Sequence, residues 1–280
     1  MPAPFTRLLL ATEHGEFDCG AEALALVLAR QASLPLFAVL PVMSNPEFEV
    51  EAPQLAAKAD AEAATKREQL QALAQRAGVA LHLHVRHGSE PWVEIVAEAR
   101  TLQADLLVIR RRGKRSLLAN LLVGEMVSKV LAHAPCSVLM VPRAARLWSR
   151  GVLAGIDPQQ PDIATLDRAA AIAGAFALPL HLVCVAGGRH DQAAAQQALD
   201  ALLARVRTLC PDVRGELRSG RPHEELLAAA KAADCDLVVL GPRSHHNLGR
   251  AWIGGVAQRV IGLADGPVLV HLHNPGNPKP

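Results

Sequence analysis

Tyrosine is missing from the 280-residue chain, and only three tryptophans and five phenylalanines supply aromatic bulk. A core with so few rings must be built from Ala, Leu and Val, which favours helices packed on a sheet of Val and Leu strands. A surplus of one charge is missing too. The 29 Lys and Arg against 27 Asp and Glu leave +2, so nothing global pulls the chain toward nucleic acid or anionic lipid. The five cysteines (Cys19, Cys136, Cys184, Cys210, Cys235) are odd in number and form no CxxC pair. Disulfide and structural-zinc frameworks are therefore disfavoured, and a reduced, cytoplasmic protein is expected. The apolar run Leu8, Leu9, Leu10, Ala11 is too short for a signal peptide, Glu13 follows at once, and no segment is long enough to span a membrane. There is no G-x-S-x-G elbow, no Walker A loop, no G-x-G-x-x-G after the first strand and no H-E-x-x-H. A dedicated enzyme is not supported. Weak ATP hydrolysis would need Asp157 and a metal.

What is present is half apolar and repeats. The first half reads as a strand at 6–12, a helix at 18–32, a strand at 35–42 and a long Ala/Gln/Lys/Glu helix at 51–77 closed by Gly78. Then come the strand HLHVRH, a helix from Pro91, the strand DLLVI, a helix over 121–133 and the strand SVLMV. From Arg150 the order returns as GVLAGI, a helix at 161–177, PLHLVCV, a helix at 191–209, VRGELRS, a helix from Pro222, DLVVL, a helix at 251–264 and PVLVHL. LPLFAVLPV at 34 lies 144 positions before LPLHLVCVA at 178. Gly88 and Pro91 answer Gly220 and Pro222. The alternation implies two parallel, doubly wound α/β domains, 1–146 and 147–280, each a five-stranded sheet with helices on both faces.

Open parallel sheets bind ligands beyond the carboxyl ends of their strands, where strand order switches. The turn after the fourth strand is such a place. In the second half it reads Gly241-Pro-Arg243-Ser244, nine residues, then Gly254-Gly255 at a helix start. Glycines let backbone approach a phosphate, and helix-start amides and dipole favour its charge. Arg243 and Arg250 add charge-assisted donors. A purely structural glycine-rich turn stands beside this reading.

At this turn the chain resembles the universal stress protein family, whose signature is G-x2-G-x9-G-[S/T]. The spacing and outer glycines match. VAQRVIGLADGPVLV and, in the first half, LLVGEMVSKVLAHAPCSVLMVP are similar to the family's closing helix and strand. The resemblance covers nearly the whole chain as a tandem pair. It implies two Rossmann-like domains of the adenine nucleotide alpha hydrolase type, a stress-response binding or regulatory role, and pairing of the halves as a pseudo-dimer through their last strands. A homodimer of the chain and protein partners of unknown identity are compatible with it. Some members of the family bind ATP and others do not. In binding members the loop holds phosphates and an Asp after the first strand helps hold the nucleotide, here Asp157. The expected site is Asp157, Gly220, Gly241, Arg243, Ser244, Gly254 and Gly255, taking ATP with Mg. Ser244 and Gly255 depart from the pattern.

The first half departs further. Arg110 replaces the first glycine, Glu125 replaces the Ser/Thr, and Glu13 stands where the Asp is expected. A carboxylate at the helix start would occupy or repel a phosphate. The run Arg110, Arg111, Arg112, Gly113, Lys114 reads as a degenerate loop whose arginines lie on a solvated turn. Three readings remain open. It is an exposed basic loop, a remodelled anion site made of Arg110, Arg111, Arg112 and Lys114, or a nucleic-acid contact. The last lacks interleaved aromatics and a basic helix face. A ligand-free scaffold is the rival for the whole chain. His82 and His84 alternate on a strand and read as its polar outer face rather than a metal pair. In the helix at 51–77, Leu55, Leu70 and Leu73 are expected inward, and Lys58, Lys66 and Arg67 on a solvated face.

Overall fold

A computed structural model describes residues 3–13, 19–44, 50–111, 124–186, 192–242 and 254–272. The described chain divides into two compact units, one of residues 5–111 and 124–147, the other of residues 3–4 and 148–272. In the first, β1 (Leu8–Ala11), α1 (Cys19–Ala32), β2 (Leu36–Met43), α2 (Pro53–Ala77), β3 (Leu81–Gly88), α3 (Pro91–Thr101), β4 (Leu106–Arg111), α4 (Glu125–His133) and β5 (Ser137–Pro142) follow in order. In the second, β6 (Val152–Ile156), α5 (Ile163–Ala175), β7 (Leu180–Ala186), α6 (Gln192–Val206), β8 (Val213–Ser219), α7 (Pro222–Ala232), β9 (Leu237–Leu240), α8 (Gly255–Leu263) and β10 (Val268–Val270) repeat it.

The first unit's strands lie in the order β3-β2-β1-β4-β5, the second's in the order β8-β7-β6-β9-β10. The paired strands within each are parallel. Helices cover both faces, so β1, β4 and β9 are buried along almost their whole length. The edge strands β3 and β8 are covered less and keep a polar, half-exposed pattern. The switch in strand order falls between β1 and β4, and between β6 and β9.

Matching registers show that the halves are copies. Leu8 pairs Leu36 and Leu106, and Val152 pairs Leu180 and Leu237. The helix ends match as well. Ser33 and Ala177, which follow α1 and α5, both take left-handed φ near +50° (54 and 51), and so do Gln103 and Asp234 (49 and 52). Each helix is closed by an amide one residue further on, as in Leu34 N to Ala29 O and Leu178 N to Ala173 O, both 2.9 Å. Non-glycine residues hold these turns at a cost of about 1 kcal/mol or more each. α2 instead ends on glycine, with Gly78 at φ +68°.

Two expectations from the sequence are corrected by the structure. β4 does not stop at Ile109 but runs through Arg111, with Arg110 level with Val141. Arg110 is therefore a buried strand residue, 8% exposed, and not part of a solvated turn. The inward stripe of α2 is Ala63, Lys66, Leu70 and Ala74. Leu55 and Leu73 face out, and Lys66 faces in. The spacing of that stripe is helical, but alanine gives it little hydrophobic weight and a lysine sits in its middle.

Candidate functional site

Each β-strand end at the switch point is set by the ladder. Gly155 pairs Leu240, so one step on Ile156 lies level with Gly241, and Asp157 leaves the sheet beside that glycine. Asp157 is exposed and closes its own turn, with its Oδ1 accepting from the Gln159 amide at 2.9 Å. Gly241 is tightly confined. A Cβ there would meet Asp162 Oδ2 at 2.6 Å and Thr165 Oγ1 at 2.8 Å. Those two residues begin α5. Asp162 is its N-cap, accepting from Thr165 N at 3.2 Å and from Thr165 Oγ1 at 2.8 Å.

α8 joins two parallel strands, so it runs against them and its N-terminus faces the same carboxyl edge. Gly254 is its N-cap and offers no side-chain bond to the first amides. Among the described residues, nothing lies within 4 Å of a Cβ built on Gly254's successor, Gly255. A helix leaves its first amides without internal partners. Among the described residues, no side chain caps them, which leaves them to an anion. Gly220 lies further off, at the tip of the edge strand β8, with φ +144°. A Cβ there would meet only the end of the Glu225 side chain, at 2.9 Å, so it is the backbone that demands glycine. Arg243, Ser244, His245, His246 and Arg250 lie outside the described residues.

The first half fills the same place with side chains. Thr12, one step past Ala11↔Ile109, is level with Arg110, and both are buried. The Thr12 hydroxyl donates to Glu22 Oε1 at 2.5 Å, and the Lys66 ammonium reaches the same oxygen at 2.5 Å. Sequence reading missed this cluster. Its signal was a lysine placed four residues before Leu70 on the inward stripe of α2. Gly124 caps α4 as Gly254 caps α8. The Glu125 carboxylate turns away along the helix to Lys129 at 3.1 Å, with its side chain 84% exposed. That contact holds the Lys129 ammonium above its ordinary range. Arg111 is half-buried, and Arg112 and Lys114 lie outside the described residues.

The charged groups of β3 and α3 are tied to one another. His84 Nδ1 meets Glu98 Oε1 at 2.6 Å, and Arg86 bridges Glu94 and Glu98, each at 2.8 Å. His82 stacks on Phe37. No group of three His, Cys, Asp or Glu among the described residues is placed to hold a metal. Burial pushes the Cys136 thiol up to about 12. Burial first, and then the Asp157 charge, push Cys184 up to about 12. Neither is a thiolate nucleophile. Among the described residues, no helix is long and apolar enough to cross a membrane.

The family model described as "Universal stress protein family" matches the chain twice, over residues 5–142 and 149–271. A universal stress protein of Mycobacterium tuberculosis is 25% identical over 247 residues, covering 80% of this chain and 82% of its own. A shorter one from Synechocystis is 33% identical over 152 residues, 49% of this chain and 97% of its own. A solved Pseudomonas aeruginosa structure titled as a universal stress protein superposes with a TM-score of 0.73 at 20% identity, covering 97% of this chain and 95% of that one. With two matches spanning nearly its whole length, the chain belongs to the universal stress protein family as a tandem member.

Proposed function

We propose that the protein is a cytoplasmic stress-response binding protein, regulatory rather than catalytic, that takes one adenine nucleotide per chain in its second half. The observation that carries this reading is the glycine start of α8, which has no side-chain cap and lies on the same carboxyl edge of the sheet as Asp157 and Gly241. Phosphates would lie on the α8 amides, with Arg243 and Arg250 as further donors and Mg shared with the phosphates. Asp157 would hold the nucleoside end. With the chain divided at 146/147, the two halves would pair as a pseudo-dimer through β5 and β10, and the chain would pair with a second copy or bind other protein partners.

A second reading applies to the first half alone. Its buried Arg110 stands where the second half has Gly241, and Thr12, Glu22 and Lys66 are buried in the same unit, which favours a ligand-free scaffold there over an anion site. Native mass spectrometry of freshly purified protein, then calorimetric titration with ATP and Mg, tests both. One nucleotide per chain, lost in Gly254→Glu and kept in Gly124→Glu, is the expected result. No bound mass and no heat at millimolar ATP would overturn the nucleotide reading.

A further inference from the structure

The start of α5 does more than cap a helix. Gly241 rests directly on it, and the contact is closed by short, locked atoms. Asp162 is fixed by its bond to the Thr165 amide, and its second oxygen is held by the Thr165 hydroxyl. Thr165 is wholly buried, at 0% exposed. A Cβ on residue 241 would lie under 3 Å from both side-chain oxygens, so the chain leaving β9 is held in one place by this pair.

The repeat supplies a natural comparison. β1 and β6, and the ends of α1 and α5, are offset by the same 144 positions, since Leu8 and Val152 pair Leu36 and Leu180. That places Ala21 where the second half has Thr165. β4 and β9 answer each other through Leu106 and Leu237, the partners of Leu8 and Val152. That places Arg110 where the second half has Gly241. Ala21 and Arg110 are both buried, at 1% and 8% exposed. The half that keeps the hydroxyl keeps the glycine. The half that has lost the hydroxyl carries a long side chain there.

We infer that Asp162 and Thr165 are positioning residues for Gly241, where the chain leaves β9, and that the exchange of Gly241/Thr165 for Arg110/Ala21 is a coupled one. The role of the pair as ligand positioner rests on the nucleotide reading of the second half; the coupling does not. Thr165 acts on residue 241 through its own hydroxyl, 2.8 Å from the Cβ position. Without that hydroxyl one of the two oxygens that crowd residue 241 is gone, and a Cβ is more easily accommodated.

The test uses the full-length protein as wild type, Gly241→Ala, Thr165→Ala, the double variant and Thr165→Ser. Melting temperature and ATP–Mg titration are measured on each. Gly241→Ala is expected to lower Tm by about 5 °C in the wild-type background and by less than half as much on Thr165→Ala. A Gly241→Ala chain too unstable to purify, recovered by adding Thr165→Ala, would equally support the coupling. Thr165→Ala is expected to weaken ATP binding about tenfold, the order of one lost hydrogen bond, with Thr165→Ser restoring it. Equal Tm losses in the two backgrounds would overturn the coupling. Unchanged affinity in Thr165→Ala, against a wild type that binds, would overturn the positioning role. No heat from the wild type would instead remove the nucleotide reading and the ligand-positioning role with it, and the stability cycle would still decide the coupling.

Discussion

The Lys66 ammonium and the Glu22 carboxylate meet at 2.5 Å inside the first half, with side chains 5% and 7% exposed. Thr12 donates to the same oxygen. In the second half the 144-position offset puts Ile156 and Leu166, both apolar, where the first half has Thr12 and Glu22. The same fold has therefore packed one copy of this corner with charge and the other with hydrocarbon. A buried pair costs desolvation of both ions, and its attraction roughly repays that. Removing one partner strands the other.

The expected consequence is non-additivity. Lys66→Ala or Glu22→Leu alone should cost about 3–5 kcal/mol, because each leaves a buried charge unpaired. Glu22→Leu with Lys66→Met, which makes both positions apolar, should recover most of that loss. Urea unfolding midpoints of the three variants decide it. Single variants within about 0.5 kcal/mol of wild type would mean the pair contributes nothing that solvent does not.

Much of this fold was legible because it was written twice. Strand runs such as DLLVI and DLVVL, the prolines opening α3 and α7, and Gly78 are local signals that local physics obeys. The failures were non-local. Arg110 looks solvated in sequence, but the ladder with β5 carries the strand past it. Lys66 looks solvated by type, and only its partner on α1 explains its burial. Asp157, Gly241, Gly254 and Gly255 were readable as a motif. The reason residue 241 must be glycine was not readable, because Asp162 and Thr165 belong to a different helix.

Asp105 and Asp236 do the same work in the two halves, at the residue just before β4 and β9. Asp105 accepts from the Thr6 amide at 2.7 Å, the Thr6 hydroxyl at 2.8 Å and the Arg7 amide at 3.0 Å. Asp236 accepts from the amides of Ser149 at 2.8 Å, Arg150 at 3.1 Å and Gly151 at 3.3 Å. Each carboxylate ties the chain that leads into the central strand to the strand beside it. Replacing either by Ala orphans backbone donors and should cost about 1–3 kcal/mol. Asn keeps one acceptor and should lose less. Amide hydrogen exchange gives the local readout. In Asp105→Ala, β1 should lose protection while β6 keeps it, and Asp236→Ala should reverse the pattern. Uniform loss in both halves would refute the local role.

Glu216 makes acid sensitivity a property of the second half's edge strand. Burial works to raise its pKa, but the Arg218 guanidinium and the His181 ring beside it outweigh that, and its carboxyl titrates below the ordinary range. The contacts are 2.9 Å to Arg218 Nε and 3.2 Å to His181 Nε2. A depressed folded-state value means the unfolded chain binds the proton more readily. The stabilisation is thus complete above the unfolded pKa of about 4.3 and is lost as pH falls through the lower folded value. Glu216→Gln cannot titrate. It should be less stable than wild type at pH 7, and its stability should fall less steeply between about pH 5 and pH 3. Because the Glu216 side chain is 38% exposed, added salt should shrink the difference at pH 7. Denaturation midpoints across that range at low and high salt measure both effects, and parallel pH profiles for the two proteins would show that the Arg218 and His181 contacts hold no proton linkage.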